Sequence, residues 1–422
     1  MHTRMAFGTT GIDLHLPDGP HYRVIHARSA PPLPDTNLAI AAALDAPISG
    51  PSLSALAQGK RSAAIAICDI TRPVPNSVTL PHILSRLHRA GITRENIALC
   101  IATGLHRAAT PTELDIILGP EIAATYPIVN HDARDTAHRH IGTTTRGTPA
   151  IVNQRFLSAD LHITLGFIEQ HLMLGFSGGR KLIAPGLAGQ DTIKTIHSPR
   201  FMREALATEG SIDANPLHDE LLQIARMARH DFMLDVTLTQ DRQISGVFAG
   251  EPVQAHAAGV HSLRADSTEY LPQLVDAAIT TAAGHPLDLT FYQTIKGLTA
   301  VQHIVKPGGK ILILSACTEG VGSPEFTAKL ATYTTPQQFL DSIRDTPVIP
   351  DQWQLEKLAL VHSHHPLLFY TPGVSPTQLG SLAAGTLPTA DAAIQSLLAH
   401  LPANAEIAIV PDGPYAFARV RD

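Results

Sequence analysis

Cysteine is scarce in this 422-residue chain, and its spacing excludes a disulfide framework. Cys68, Cys100 and Cys317 lie far apart, form no CxxC pair, and each closes an apolar run. That is the setting of a small buried hydrophobe in a reducing compartment. No run of about 18 apolar residues occurs, which excludes a bilayer-crossing helix. The first twenty residues hold no continuous apolar stretch, so no secretory signal is expected and a cytoplasmic location follows. Basic residues are not massed anywhere. With 31 Lys and Arg against 37 Asp and Glu, the net charge is −6, a poor match for nucleic acid or an anionic membrane surface.

Several chemical signatures are also missing. There is no GxxxxGK[ST] loop, because Lys181 is followed by Leu182, and no GxGxxG with a downstream acid. A freely dissociating nucleotide is therefore not indicated. No HExxH-like pattern points to a metal hydrolase, and no cluster of Asp and Glu could hold Mg²⁺ against an enolate. Internal repeats and low-complexity stretches are absent.

What is present is a large apolar fraction, 44%, with only 16% charged residues, enough for a sizeable core. The length suits two α/β domains. Histidine is abundant, at 23 residues, and imidazole serves both proton transfer near neutrality and metal ligation. The run SAAIAICDI (62–70) reads as a buried strand and LPHILSRLHRAG (80–91) as a helix closed by Gly91. NIALCIATG (96–104) is a second strand, followed by a helix from about Thr112, and ADLHITLGFI (159–168) is a third strand. Residues 205–270 read as mainly helical with extended pieces such as MLDVTLT (233–239). A second α/β unit opens near 275 with DAAITTAAG (276–284), a helix over LTAVQHIV (298–305), a turn at PGG (307–309), and strands KILILSAC (310–317) and EIAIVPDG (406–413).

The predicted fold is thus α/β with two domains, each a mostly parallel sheet flanked by helices, and an active site in the cleft between them. The division is placed at residues 1–270 and 271–422, the boundary falling within 265–275. Whether the final strand returns to the first domain is left open.

Four loops at strand ends carry the chemistry. In DITRPVPN (69–76), Asp69 and Arg72 leave a buried strand together. Arg72 can grip a carboxylate in bidentate fashion, although an Asp–Arg pair capping the next helix fits the same pattern. In TGLHRAAT (103–110), His106 exits through Gly104 and is a candidate acid/base, or an exposed structural histidine. The loop GFIEQHLMLGFSGGRKLIAPGLAG (166–189) contains FSGGRK, where glycines let backbone amides converge on an anion and Lys181 adds charge. His171 and His197 flank it. In FYQTIKGL (291–298), Tyr292, Gln293 and Lys296 present a ring, an amide and an ammonium; Gln293 and Lys296 share a face if the segment is helical.

Together these loops resemble the nickel-dependent lactate racemase family. The matching elements are DxTRP at 69–73, GxHR at 104–107, HxxxGFSGGxK at 171–181, His197, and YQxxK at 292–296, collinear from about 60 to 300. The resemblance implies racemisation or epimerisation at C2 of a small 2-hydroxy acid, with a nickel pincer nucleotide (a pyridinium-3,5-bisthiocarboxylic acid mononucleotide) joined to Lys181. It implies that His197 is the protein ligand to nickel and that His106 and His171 are the paired acid/base. It further implies that Thr71, Arg72, Ser177, Gly178 and Gly179 lie against the cofactor. Arg72, Gln293 and Lys296 hold the substrate, with Asp69 and Tyr292 in support. Cofactor-building and nickel-inserting proteins are the implied partners. Gln170 departs from the proline found before the His171 position in many members, so the substrate need not be lactate itself; malate or an aldonic acid would use the same core.

The chemistry agrees with this implication. The C2 hydrogen of a hydroxy acid is weakly acidic beside a carboxylate, and removal as hydride avoids a dianion. One histidine takes the hydroxyl proton, a planar 2-oxo acid forms, and the opposite histidine returns a proton after rotation. Imidazole and sulfur are good donors for nickel in a square-planar site. Two other readings are a proton-abstracting two-base racemase, cofactor-free or with a divalent metal, and a non-catalytic phosphate- or nucleotide-binding sensor. The first gives no role to FSGGRK; the second gives none to the histidines.

Overall fold

The computed structural model describes residues 1–421, apart from the side chain of Ala383. The chain divides into two compact units. One comprises Ser29–His197 and Ala205–Asp266; the other comprises Met1–Arg28, Ser198–Glu204 and the chain from Ser267 onward. One break between the two units falls at Asp266/Ser267. The first 28 residues are grouped with the C-terminal portion rather than with the segment that follows them.

The first unit is built on six strands in the order Ile244–Gly250, Phe232–Leu238, Leu161–Phe167, Ala63–Cys68, Ile97–Ala102, Ile128–Asn130. All neighbours are parallel except the first pair, an antiparallel hairpin. The central strands AAIAIC, IALCIA and LHITLGF are buried almost throughout, as expected of a parallel sheet covered on both faces. Helix Asn76–Arg89 buries Leu80, Ile83, Leu84 and Leu87, one stripe at helical spacing, and ends in Arg86, His88 and Arg89, which complement its dipole. Helix Pro111–Leu118 starts with a capping box between Thr110 and Glu113 and a proline in its first turn.

The second unit carries a five-stranded, wholly parallel sheet in the order Leu367–Tyr370, Val305–Leu314, Val275–Thr281, Glu406–Val410, His21–Val24. The late strand Glu406–Val410 stays in this unit, against Val275–Thr281. The helix read at 298–305 is displaced: it spans Phe291–Val301, because Phe291, Ile295, Leu298 and Val301 bury one face. Strand Val305–Leu314 then includes the PGG sequence, with an irregular register between Val275 and Ala277. No helix among the described residues is long and apolar enough to cross a membrane.

Candidate active site

The carboxyl ends of three adjacent parallel strands set the site. Cys68 is paired with Ala102, and Ile67 with Leu165, so the chain leaves these strands side by side toward Asp69, His106 and Glu169–His171. This is where a parallel sheet presents its ligand loops.

Asp69 is 6% exposed, and its Oδ2 accepts a hydrogen bond from His106 Nδ1 at 2.6 Å. Its Oδ1 accepts from the Thr71 hydroxyl at 2.6 Å and from the Thr71 amide at 3.3 Å. Burial works to raise the Asp69 pKa, but the hydrogen bonds from His106 and Thr71 and the nearby His106 and Arg72 charges outweigh it and hold the carboxyl below its ordinary value. An ionised Asp69 fixes the proton of His106 on Nδ1 and leaves the Nε2 lone pair to act as base. The rest of the loop is helix capping: Arg107 makes a two-pronged contact with Glu113, at 2.7 and 2.6 Å.

His171 is oriented the other way round. It lies on a short hairpin, Gln170–His171 against Gly175–Phe176, and its Nδ1 accepts from the backbone amides of Met173 and Leu174 at 3.4 and 3.3 Å. These donors favour the tautomer with the proton on Nε2. One histidine is thus set as an acceptor at Nε2 and the other as a donor there. Arg72 Nε lies 3.7 Å from Glu169 Oε1, a partner that the sequence did not reveal.

Lys181 sits in the short helix Arg180–Ile183 after the FSGG turn. Gly178 and Gly179 have φ of +88° and +45°, values only glycine adopts readily. The amide cradle read from these glycines takes a different form. The Ser177 amide donates to Glu169 O, the Lys181 amide to Gly178 O, and the Gly179 amide to the Asp235 carboxylate at 2.7 Å. The Ser177 hydroxyl is committed as well, donating to Phe167 O and accepting from the Glu169 amide.

Electrostatics place the Lys181 amine near two groups. Burial pushes the Cys68 thiol up to about 12, with Arg72 and Lys181 opposing and Asp235 and Asp69 reinforcing that shift. Burial, with the Lys181 charge acting in the same sense, pushes the His197 imidazole down to about 4. His197 Nδ1 donates to Ile193 O at 2.8 Å, so its lone pair is on Nε2. A neutral imidazole oriented through its other nitrogen is the normal form of a metal ligand. Among the described residues, no group of three or more His, Cys, Asp or Glu is arranged to hold a metal. A metal at His197 therefore needs donors from elsewhere, and a sulfur-bearing group attached at Lys181 answers that need. The residues fit the group.

In the second unit, Tyr292, Gln293 and Lys296 lie in the first turns of helix Phe291–Val301. The Tyr292 ring packs edge-on to Phe326, and Gln354 Nε2 donates to Tyr292 O at 3.1 Å. Gln293 Oε1 is buried and accepts no hydrogen bond among the described residues, an amide oxygen available to a ligand.

Models of the lactate racemase N-terminal and C-terminal domains match residues 7–210 and 272–416. A lactate racemase of Lactiplantibacillus plantarum is 36% identical over 88% of both chains. The chain belongs to the lactate racemase family. A lactate racemase of Thermoanaerobacterium thermosaccharolyticum is 31% identical over 89% of both chains. The lactate racemase apoprotein structure from that organism superposes with a TM-score of 0.90 and 28% identity over the whole of both chains. A Thermotoga maritima protein, 17% identical with a TM-score of 0.67 over 92% of this chain and 99% of its own, shares the fold alone. Lactate racemase relatives over nearly the full length make this chain an isomerase of the racemase class.

Proposed function

We propose that this lactate racemase family member inverts C2 of a small 2-hydroxy acid, lactate or a relative such as malate or an aldonic acid, with a nickel pincer nucleotide attached to Lys181. The observation that carries the reading is the pair of oppositely set imidazoles. His106 is prepared by Asp69 to accept a proton at Nε2, and His171 is oriented through Nδ1 by two backbone amides, which leaves its Nε2 for proton exchange. Inversion in both directions needs a base on one side and a protonated imidazole on the other, with the roles exchanged on the way back.

In this reading Arg72 holds the substrate carboxylate, steadied from behind by Glu169, and Gln293 and Lys296 complete the grip with Tyr292 in support. Thr71 braces Asp69, while Ser177, Gly178 and Gly179 shape the turn that carries the lysine. Lys181 would hold the cofactor through a thioamide, and His197 would offer Nε2 to its nickel. When bound, the cofactor supplies an acceptor that takes hydride from C2 and returns it. His106 Nε2 removes the hydroxyl proton as the C2 hydrogen departs, leaving a planar 2-oxo acid held by its carboxylate. After that acid turns over in place, His171 in its imidazolium form protonates the oxygen as hydrogen returns to the other face of C2, and becomes neutral.

A divalent-metal two-base racemase is less favoured, because a metal of that kind draws on several carboxylates and no such group occurs among the described residues. The reading is tested by incubating nickel-loaded enzyme with a panel of enantiopure 2-hydroxy acids and measuring optical inversion by chiral chromatography. Inversion of at least one acid, dependent on cofactor loading, is expected; equal activity without the cofactor refutes it.

A further inference from the structure

Asp235 is a carboxylate in the wrong place for a structural residue. It is the one charged residue of the strand Phe232–Leu238, lies opposite Gly166, and is 0% exposed. Burial pushes its carboxyl up to about 7, against the pull of the Gly179 and Gly166 amides and the Arg180 charge. Sheet packing alone would be served better by an aliphatic residue, as at Leu234 and Val236 on either side.

What Asp235 touches is the turn before Lys181. Its Oδ2 accepts the Gly179 amide at 2.7 Å. The turn is moulded onto this carboxyl: a Cβ at Gly178 would lie 2.3 Å from Asp235 Oδ2, and one at Gly179 would lie 2.9 Å from Met233 Sδ. Just beyond the turn, Arg180 is held by a different set of groups. It is 2% exposed, its Nη1 lies 2.7 Å from His256 Nε2, and it donates to Phe176 O at 3.0 Å. Asp235 below and Arg180 behind thus clamp the turn on both sides of Gly179, leaving Lys181 as the next residue.

We propose that Asp235 is the positioning residue of the tether: by accepting the Gly179 amide it fixes the turn that presents the Lys181 amine for cofactor attachment. The proposal rests on the reading of Lys181 given above. Hydrogen-bond acceptance is the operative property, so an amide side chain can substitute and an apolar one cannot.

The test uses full-length protein made alongside the cofactor-building enzymes, with the fraction adducted at Lys181 read by intact mass and peptide mapping. Asp235→Asn should load as the unaltered protein does. Asp235→Val, which suits a strand but accepts nothing, should load at least ~tenfold less, since small misplacement of a reacting group is costly. Leu234→Ala, which opens a cavity on the same strand, should lower Tm yet load normally. In cofactor-free protein, amide exchange of the peptide covering 176–182 should be slow in the unaltered and Asn forms and fast in the Val form. Should Asp235→Val fail to fold, Asp235→Ala takes its place in both measurements. Normal loading and protection in the Val or Ala form overturns the proposal, as does a loading defect in Asn equal to theirs, or one in Leu234→Ala of the same size. Absence of any adduct in the unaltered protein defeats the reading of Lys181 instead, and the exchange comparison still decides the role of Asp235.

Discussion

His106 Nδ1 and Asp69 Oδ2 are 2.6 Å apart, joining loops that leave two adjacent strands and fixing which imidazole nitrogen is left to act as base. Asp69→Ala removes this orientation. General acid–base groups contribute ~10²–10⁴-fold, so kcat should fall by ~10²-fold with the Lys181 adduct retained. Steady-state kinetics with intact-mass control measures this; a loss below about tenfold contradicts the assigned tautomer.

Lys181 and His197 should separate in mutagenesis from the two bases. Lys181→Ala made with the cofactor-building enzymes should show no added mass, whereas the unaltered protein should exceed its sequence mass by one modified nucleotide. An adduct that persists in Lys181→Ala removes the tether from this residue.

Nickel content distinguishes ligand from acid/base. His197→Ala should lose metal, measured by inductively coupled plasma mass spectrometry. His106→Ala and His171→Ala should retain it while turnover drops ~10²–10⁴-fold. Full nickel occupancy in His197→Ala contradicts the ligand assignment.

Acid should destabilise the protein through its buried and half-buried histidines. Burial lowers the pKa of His131 and His197 to about 4 and of His230 to about 3. In the unfolded chain imidazole titrates near ~6.5. Between those values the unfolded state binds more protons, so stability rises with pH. The contribution is present in full above ~6.5 and is lost progressively as pH falls toward the folded values. Each such histidine adds up to ~1.4 kcal/mol per pH unit in that window. Urea midpoints of cofactor-free protein should fall clearly from pH 7 to pH 5; equal midpoints contradict the buried, neutral state.

Much of this was legible in the chain because apolar strands end abruptly in polar loops. SAAIAICDI, NIALCIATG and ADLHITLGFI read as three strands of a mostly parallel sheet; the structure pairs them side by side, and Asp69, His106 and His171 follow their carboxyl ends. The helix carrying Tyr292, Gln293 and Lys296 was displaced by the polar residues of YQTIK, which masked the buried stripe of Phe291, Ile295 and Leu298. The strand His21–Val24 was hidden because its partner lies near the far end of the chain, and local pattern carries no information on such pairing. The FSGG glycines were read as an anion cradle, whereas one of their amides meets the protein's own Asp235 carboxylate. The sign available in the sequence was a charged residue inside the apolar run FMLDVTL. Glu169 behind Arg72 had no such sign, since an acid in a loop is ordinary.

The central claim is that hydrogen leaves and returns to C2 as hydride, shielded from water, while His106 and His171 handle only the hydroxyl proton. Substrate deuterated at C2, converted in ordinary water and analysed by mass spectrometry and chiral separation, tests it most directly. The inverted product should keep most of its deuterium, and the matching reaction of unlabelled substrate in D₂O should introduce little at C2. Rapid acid quench should also release a trace of 2-oxo acid, no more than the enzyme present. Loss of the label to solvent during inversion, with no 2-oxo acid released, would contradict the account even with nickel bound.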